Sequence, residues 1–274
     1  MTLLHRHPVG MVSKWFGARL LGSRRWAIQL GSFLLINSYF FPWFKRIPCV
    51  GLNCYACPAA IFACPIGALQ QYFVSHKIPF YTIGLLGVVG VLVGRLSCGW
   101  FCPFGLLQDY MHKIRVRKLR LSNRFGWVRY VVLVLLVGII PYLTLETWFS
   151  KLCPVGTLEA GIPLVAINAD LRSLIGGLFA LKLSILVVFL AWMVFTKRPF
   201  CRFVCPLGAI YSLFNRFSSF QVAVDSGKCT KCNKCQKVCP TDIKIYENPR
   251  NSQCVRCLDC IKACPVSAIS NTHQ

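Results

Sequence analysis

The sequence predicts a membrane all-α protein with four transmembrane helices in two repeated halves, followed by a small α+β domain at the C-terminal end. The chain has 274 residues and is 55% hydrophobic, with a mean hydropathy of +0.56. That is too apolar for an ordinary soluble domain. It also contains 17 cysteines, and many of them lie in motifs that recur along the chain. Dense cysteine in an apolar chain of this length indicates metal binding more than a secreted disulfide scaffold.

Four apolar stretches predict the membrane helices. Each approaches the roughly 20 residues that a helix needs to cross a bilayer. They run from about 26 to 44, 79 to 97, 128 to 148 and 174 to 196. The predicted domains are an N-terminal segment (1–25), a first membrane repeat of two spans (26–115), a basic connection (116–124), a second membrane repeat of two spans (125–216) and the C-terminal domain (222–270).

The net charge of +23 is concentrated in three segments. Lys and Arg number five in residues 1–25, seven in 113–129 and twelve from 197 onward. By the positive-inside rule, both termini, the C-terminal domain and the basic connection face the cytoplasm. We therefore expect a multi-pass protein of the bacterial cytoplasmic (inner) membrane. Attraction to anionic membrane lipid accounts for the charge, so no nucleic-acid partner is expected.

The C-terminal segment contains the most specific motif. "CTKCNKCQKVCP" (229–240) and "CVRCLDCIKACP" (254–265) share the spacing C-x2-C-x2-C-x3-C-P. In this spacing three thiolates of one run and the fourth of the other hold one iron–sulfur cube. A reducing cytoplasm disfavours disulfides, and zinc does not require the repeated run. The sequence therefore predicts an α+β two-cluster ferredoxin domain. Its two [4Fe–4S] ligand sets are Cys229, Cys232, Cys235 with Cys264, and Cys254, Cys257, Cys260 with Cys239.

A second motif, Cys-Pro-apolar-Gly, recurs in the membrane part. It occurs as "ACPIGAL" (63–69), "FCPFGLL" (101–107), "LCPVGTL" (152–158) and "VCPLGAI" (204–210). Each half has a span, an outer Cys-Pro-x-Gly segment, a second span and an inner C-x3-C-P-x-G, which indicates an internal duplication. Proline after the second cysteine of each inner pair predicts a turn there. The inner pairs supply the predicted cluster ligands Cys98, Cys102, Cys201 and Cys205.

Two thiolates per half are too few for a cube, so each half needs further ligands. Symmetry suggests Cys64 in the first half and Cys153 in the second, and two membrane [4Fe–4S] clusters are then expected. Simple topology places these two cysteines outside and the C-x3-C-P pairs inside. They meet only if the outer segments re-enter the membrane as half-helices. Otherwise the outer cysteines form a disulfide, and each inner pair takes ligands from elsewhere. Three further cysteines are candidates to complete the sets: Cys49, Cys54 and Cys57.

The sequence contains no motif that indicates haem or a nucleotide. No C-x-x-C-H is present and no histidine lies inside a span, so no haem is expected. No dinucleotide or phosphate-binding glycine motif is present, so no nucleotide is expected. Lys182 in the fourth span, and Glu146 and Glu159 near the outer face, are candidates for a quinone pocket or a proton path. The ordinary interpretation is a snorkelling lysine and two solvated carboxylates.

The motifs "CGWFCP", "CRFVCP" and "GLNCYACP", with the two C-terminal runs, resemble a known family. They are similar to the NapH-like membrane ferredoxin-type quinol dehydrogenase subunits, and more distantly to NosR-like polyferredoxins. The resemblance implies electron transfer between membrane quinone or quinol and an iron–sulfur or cytochrome redox subunit in an anaerobic respiratory chain. Catalytic residues are not identified. The chain lacks the flavin domain of the NosR-like group, so no flavin is expected. The alternative is a redox-sensing or maturation factor for a metalloenzyme.

Overall fold

The computed structural model describes residues 18–36, 51–52, 64–167, 169–172 and 175–273. Within these ranges the chain is mostly helical and has one two-stranded sheet. The helices before the second half are α1 (Ala18–Ile36), α2 (Pro65–Val74), α3 (Phe80–Val93), α4 (Leu96–Trp100) and α5 (Pro103–Met111). Those of the second half are α6 (Asn123–Thr144), α7 (Trp148–Leu152), α8 (Pro154–Ala166), α9 (Ala169–Arg172), α10 (Gly177–Phe195), α11 (Pro199–Phe203) and α12 (Pro206–Phe214). The C-terminal domain contains β1 (Phe220–Val224), α13 (Lys234–Val238), α14 (Asp259–Ala263) and β2 (Ile269–His273).

Among the described residues, two helices are long and apolar enough to cross a membrane: α6, with 22 residues, and α10, with 19. Helices α3 and α8 are apolar but shorter. The second predicted span ends early because Gly94 takes left-handed backbone with φ +56°. A Cβ there would meet the side chains of Asn215 and Arg256 at 2.7 and 2.8 Å. The first predicted span is helical to Ile36, and its last part lies outside the described residues.

Helices α6 and α8 each contain a wider π segment that ends two residues before a proline. In α6 it spans Leu133–Ile139, before Pro141, and in α8 it spans Thr157–Gly161, before Pro163. Proline has no N–H to donate, and its ring crowds the carbonyl four residues earlier. The wider turn relieves this crowding, so both helices continue past their proline.

The C-terminal domain repeats its backbone as well as its cysteines. Strands β1 and β2 pair antiparallel, with Phe220 opposite His273 and Val224 opposite Ile269. The two cysteine runs place non-glycine residues in left-handed backbone at matching positions. These residues are Lys231, Asn233 and Asp242 in the first run, and Arg256, Leu258 and Ser267 in the second. This agrees with the predicted α+β domain, although the strands begin at 220 and end at 273, slightly beyond the predicted limits.

One buried apolar cluster contains residues of both the membrane part and the C-terminal domain. Val255 and Cys257 of the second cysteine run belong to the same buried cluster as Cys98, Phe104 and Leu207. The indole nitrogen of Trp100 donates to the carbonyl of Arg256 at 3.1 Å. The C-terminal domain is therefore packed directly on the ends of α4 and α11, where the inner cysteine pairs lie.

Candidate functional site

Each of the four Cys-Pro-x-Gly motifs folds in the same way. The cysteine has extended backbone, with φ −76° and ψ 114° at Cys102 and φ −62° and ψ 114° at Cys205, and the helix begins at the proline. Cys64 and Cys153 have the same geometry. A proline ring disfavours helical backbone at the residue before it and suits the first position of a helix. The turn predicted at each inner pair is therefore present, and the first cysteine of each pair lies on the preceding short helix.

The two inner C-x3-C pairs lie together where the two halves meet. All four cysteines are buried, with exposures between 2% and 6%. Cys201 lies within electrostatic range of Cys98 and Cys102, and Cys205 lies within range of the other three. Four buried, soft sulfur ligands are the donor set of one [4Fe–4S] cube. The residues present therefore fit such a cluster.

An arginine three residues before each pair crosses to the other pair. Arg95 donates from Nη2 to the carbonyl oxygen of Cys201 at 3.0 Å. Arg198 donates from Nη1 to the carbonyl oxygen of Cys98 at 3.5 Å. Both arginines are buried, at 0% and 1% exposure. The two contacts are reciprocal, and both guanidinium groups lie within electrostatic range of Cys98.

The glycine of each inner motif makes room for the crossing arginine. A Cβ at Gly105 would lie 3.4 Å from the guanidinium nitrogens of Arg198, and a Cβ at Gly208 would lie 3.0 Å from Nη2 of Arg95. The side chain of Gln108 adds a direct contact to the site, because its Nε2 donates to Sγ of Cys201 at 2.9 Å. These contacts give the repeated spacing within each motif a physical reason, because glycine leaves room for the arginine of the opposite half.

The outer cysteines Cys64 and Cys153 lie at a cavity of their own. Cys64 and Cys153 both line a cavity of about 550 Å³, which Lys182 also lines. They belong to, or pack against, the apolar cluster that contains Cys98, Cys102 and Cys205. Cys49, Cys54 and Cys57 lie outside the described residues. None of the cysteines that the structure describes is joined in a disulfide.

The four cysteines of the second C-terminal set lie close together. Cys239, Cys254, Cys257 and Cys260 line a single small cavity of about 20 Å³. Burial, with the neighbouring Cys239, raises the pKa of the Cys254 thiol to about 11. The Cys254 thiol is therefore protonated in the metal-free chain at neutral pH, and it loses its proton when metal is loaded.

The first set is more open to solvent. The thiols of Cys229 and Cys232 act electrostatically on Cys235, and Cys232 is exposed. The sulfur of Cys264 accepts a hydrogen bond from the backbone N–H of Ala268 at 3.3 Å. In the part of the chain that the structure describes, no three His, Cys, Asp or Glu side chains converge on the position of a single metal ion. A cube spreads its ligands over separate irons, so its thiols stand farther apart than those around one ion.

The second set lies next to the inner pairs. A Cβ placed on Gly99, between Cys98 and Cys102, would lie only 2.3 Å from the carbonyl oxygen of Val255. The buried guanidinium of Arg198 lies within electrostatic range of both Cys201 and Cys257. The charge of Arg198 is therefore close enough to interact with thiols of both groups.

Comparison with known families supports iron–sulfur binding. One 4Fe-4S binding domain family matches residues 78–122 and again residues 178–223, so each match contains one inner C-x3-C-P pair. A second 4Fe-4S binding domain family matches residues 222–244, which contain the first C-terminal cysteine run. No solved structure matches the chain.

Several curated proteins are similar to the chain. Protein MJ0750 of Methanocaldococcus jannaschii is 32% identical over 196 residues, which cover 67% of this chain and 75% of MJ0750. The methylamine utilization ferredoxin-type protein MauN of Methylobacillus flagellatus is 28% identical over 185 residues, covering 64% of this chain and 60% of MauN. The ferredoxin-type protein NapH of Escherichia coli is 29% identical over 185 residues, covering 64% of this chain and 59% of NapH. The chain belongs to the NapH-like polyferredoxin family.

Membership makes this NapH-like chain an iron–sulfur protein of the ferredoxin type with an electron-transfer role. Its alignment covers about three fifths of the length of MauN and of NapH. The family resemblance expected from "CGWFCP", "CRFVCP" and the two C-terminal runs is confirmed. The 4Fe-4S binding domain matches likewise confirm that iron–sulfur clusters are the cofactor.

The NapH-like chain also contains an ion-pair network that sequence reasoning missed. Arg198 donates from Nε and Nη2 to the two carboxylate oxygens of Asp109 at 2.7 and 2.6 Å. Arg25 of α1 bonds both Asp109 and Asp259, the latter at 2.6 Å. Asp259 lies between two ligands of the second cysteine set. One arginine therefore joins α1, the first half and the C-terminal domain.

The crossing arginines were also missed, although a signal for them was present. Arg95 and Arg198 each stand three residues before the first cysteine of an inner pair. An alignment of the two halves on their cysteines would have shown this match. The ion pair between Arg198 and Asp109 is not repeated in the sequence, because the residue of the second half that corresponds to Asp109 is Ser212.

Proposed function

We propose that this chain is a membrane iron–sulfur subunit that passes electrons between the quinone pool and a partner redox protein in an anaerobic respiratory chain. The observation that carries the proposal is the close packing of the inner cysteine pairs against the second C-terminal set, with Arg198 within electrostatic range of both Cys201 and Cys257. Electron transfer needs short separations between redox centres, and a sensor or a maturation factor has no such requirement. The similarity to NapH and MauN, which are named ferredoxin-type proteins, is consistent with this role.

The proposed position of the chain in the membrane rests on its apolar helices and on the location of its positive charge. Helices α6 and α10 supply apolar lengths suited to a bilayer, and α1 and α3 complete the proposed four spans. Seven Lys and Arg lie in residues 113–129 and twelve lie from 197 onward. The C-terminal domain is therefore proposed to lie on the cytoplasmic side of the inner membrane, next to anionic lipid. The redox partner is an iron–sulfur or cytochrome subunit.

We further infer that one [4Fe–4S] cluster is held jointly by Cys98, Cys102, Cys201 and Cys205, two from each half. The mutual proximity of the four buried thiols supports this assignment. It removes the need for a third and fourth ligand within each half. The alternative remains two membrane clusters completed by outer cysteines such as Cys64 and Cys153. When bound, the cluster supplies a one-electron acceptor, and the protein supplies four thiolates and two nearby guanidinium groups.

Iron content separates the two arrangements. A shared cluster predicts about twelve irons in the purified chain, whereas two membrane clusters predict about sixteen. Cys98→Ser and Cys201→Ser should each remove about four irons, and the double variant should remove no more than either single variant. Loss of about eight irons from the double variant would show two separate clusters. The matched control is Cys153→Ser, which should keep the full iron content if the outer cysteines are not ligands.

The quinol step is tested on the full-length protein in lipid vesicles. A short-chain quinol should bleach the visible absorbance of the clusters and produce the EPR signals of reduced [4Fe–4S] centres. Dithionite provides the fully reduced reference. If quinol leaves fully loaded clusters oxidised while dithionite reduces them, quinol oxidation is refuted. A redox-sensing or maturation role would then be the better explanation.

A further inference from the structure

An apolar cavity of about 610 Å³ lies beside the second cysteine of the first inner pair. Its walls come from three elements: Leu30 and Phe33 of α1, Pro103 at the start of α5, and Leu158 of α8. Pro103 directly follows the proposed ligand Cys102. The volume lies within the range of about 300–1,000 Å³ that is typical of small-molecule sites. A ligand held there would be in immediate contact with the backbone that carries a cluster ligand.

One carboxylate lines this cavity among the described residues, that of Glu159. From the sequence we expected Glu159 near the outer face, away from the inner pairs. In the structure α8 begins at its proline turn, and the carboxylate of Glu159 lies within electrostatic range of Cys102. Glu159 sits in the π segment of α8, four residues before Pro163, where the helix is widened. Wider turns of this kind are frequent at functional sites.

We propose that this cavity binds a quinol headgroup and that the carboxylate of Glu159 accepts its proton. The inference rests on the proposed quinol oxidation and names the site at which it occurs. Leu30 and Phe33 are 42% and 38% exposed at the edge of the cavity. Because such apolar side chains on a membrane helix face lipid, they offer an entry for the apolar tail. The phenol of Tyr110 is the second polar group in the lining, suited to a hydrogen bond with the other ring oxygen.

Each electron and each proton released by quinol oxidation has an acceptor in this proposal. Oxidation of a quinol to a quinone breaks two O–H bonds and releases two electrons and two protons. The oxidant would be an oxidised iron–sulfur cluster held by cysteines of this chain, which would supply a one-electron acceptor for each electron in turn. The Glu159 carboxylate takes a proton as the first hydroxyl ionises and becomes a carboxylic acid. It returns that proton to water before it accepts the second.

Photoaffinity labelling tests where the quinone binds. The probe is an azido-quinone analogue added to the full-length protein in lipid vesicles, followed by peptide mapping. We expect labelled peptides from α5 or α8. Leu30→Trp places a larger ring at the rim of the cavity and should weaken labelling by about tenfold. Labelling confined to other peptides, such as those that line the cavity of Lys182, would overturn the assignment.

A pair of carboxylate variants tests the proton acceptor. Glu159→Gln should slow reduction of the clusters by quinol by about 100-fold or more, the usual contribution of a positioned base. Reduction by dithionite and iron content should stay unchanged. The matched control is Glu146→Gln, since Glu146 pairs with Lys151 and does not line this cavity. If Glu159→Gln is reduced by quinol as fast as the wild type, the site is refuted while quinol oxidation stands. If the wild type itself is not reduced by quinol, the proposed function fails instead.

Discussion

The Asp109→Asn substitution removes the single carboxylate that two arginines share. Asp109 accepts two hydrogen bonds from Arg198 and one from Arg25. The side chain of Arg198 is 1% exposed and that of Arg25 is 10% exposed. An amide of the same shape keeps one acceptor oxygen, but its NH₂ group faces arginine donors. The substitution therefore leaves a buried guanidinium without its counter-charge.

The expected loss of stability follows from the burial of these charges. Breaking a buried ion pair by removing one partner costs about 3–5 kcal/mol. The lower end applies here because the side chain of Asp109 is 23% exposed and is reached by water. At roughly 2–4 °C for each kcal/mol, a loss of about 3 kcal/mol should lower the unfolding midpoint by roughly 6–12 °C.

Thermal unfolding of the loaded protein in detergent, followed by tryptophan fluorescence and by loss of cluster absorbance, measures this effect. The control is Glu247→Gln, because Glu247 and Lys244 form an exposed pair that contributes little. An Asp109→Asn midpoint within the error of the wild type, with the control also unchanged, would refute the reasoning. It would show that Arg198 finds other partners or that water replaces the carboxylate.

The stability that Asp109 contributes should depend on pH. Burial alone would raise the pKa of Asp109, but attraction by Arg198 and Arg25 outweighs burial and holds that pKa below its ordinary value. The stabilisation is therefore present above the unfolded pKa of about 3.9 and is lost as pH falls through the lower folded value. The difference between wild type and Asp109→Asn should be constant from neutral pH down to about 4 and should shrink only in stronger acid.

Two further substitutions probe the site. Gly99→Ala places a Cβ 2.3 Å from the carbonyl oxygen of Val255, so it should displace the C-terminal domain. Limited proteolysis of the folded protein should then cut this domain faster than in the wild type. Gly84→Ala is the control, because the space around Gly84 is open and its proteolysis should be unchanged. Gln108→Leu removes the hydrogen bond to Sγ of Cys201. A hydrogen-bond donor to a ligand sulfur stabilises the reduced cluster, so its loss should make the reduction potential more negative. An EPR-monitored redox titration measures this potential. An unchanged potential would place the cluster away from Cys201.

The C-terminal domain and the proline turns could be predicted from sequence because their causes are local. The spacing of each cysteine run determines which thiols can reach one cluster. A proline sets the backbone of its neighbour, so the turns at Cys102 and Cys205 follow from two residues each. The family resemblance depends on the same short motifs, and comparison with known proteins confirmed it.

The arrangement between the halves could not be predicted, because it depends on contacts between residues far apart in sequence. Arg95 meets Cys201 across 106 positions, and Arg198 meets Asp109 across 89. The position of Glu159 depends on the direction of α8 after its turn at Pro154, which hydropathy does not encode. The four membrane spans stay a prediction, since the described part of the first span ends at Ile36 and α3 is shorter than a bilayer requires.

The exchange of arginines between the halves has a consequence for how this molecule is built. Each half presents two cysteines and lends its arginine to the other, so neither half holds a complete site by itself. Two copies of an ancestral two-span unit, meeting face to face, would have enclosed the same four sulfurs and two guanidinium groups on their symmetry axis. The family model that matches residues 78–122 and again residues 178–223 is consistent with a tethered pair of such units. The symmetry is incomplete in both halves, because Asp109 of the first half corresponds to Ser212 of the second, and Glu159 of the second half corresponds to Gln70 of the first.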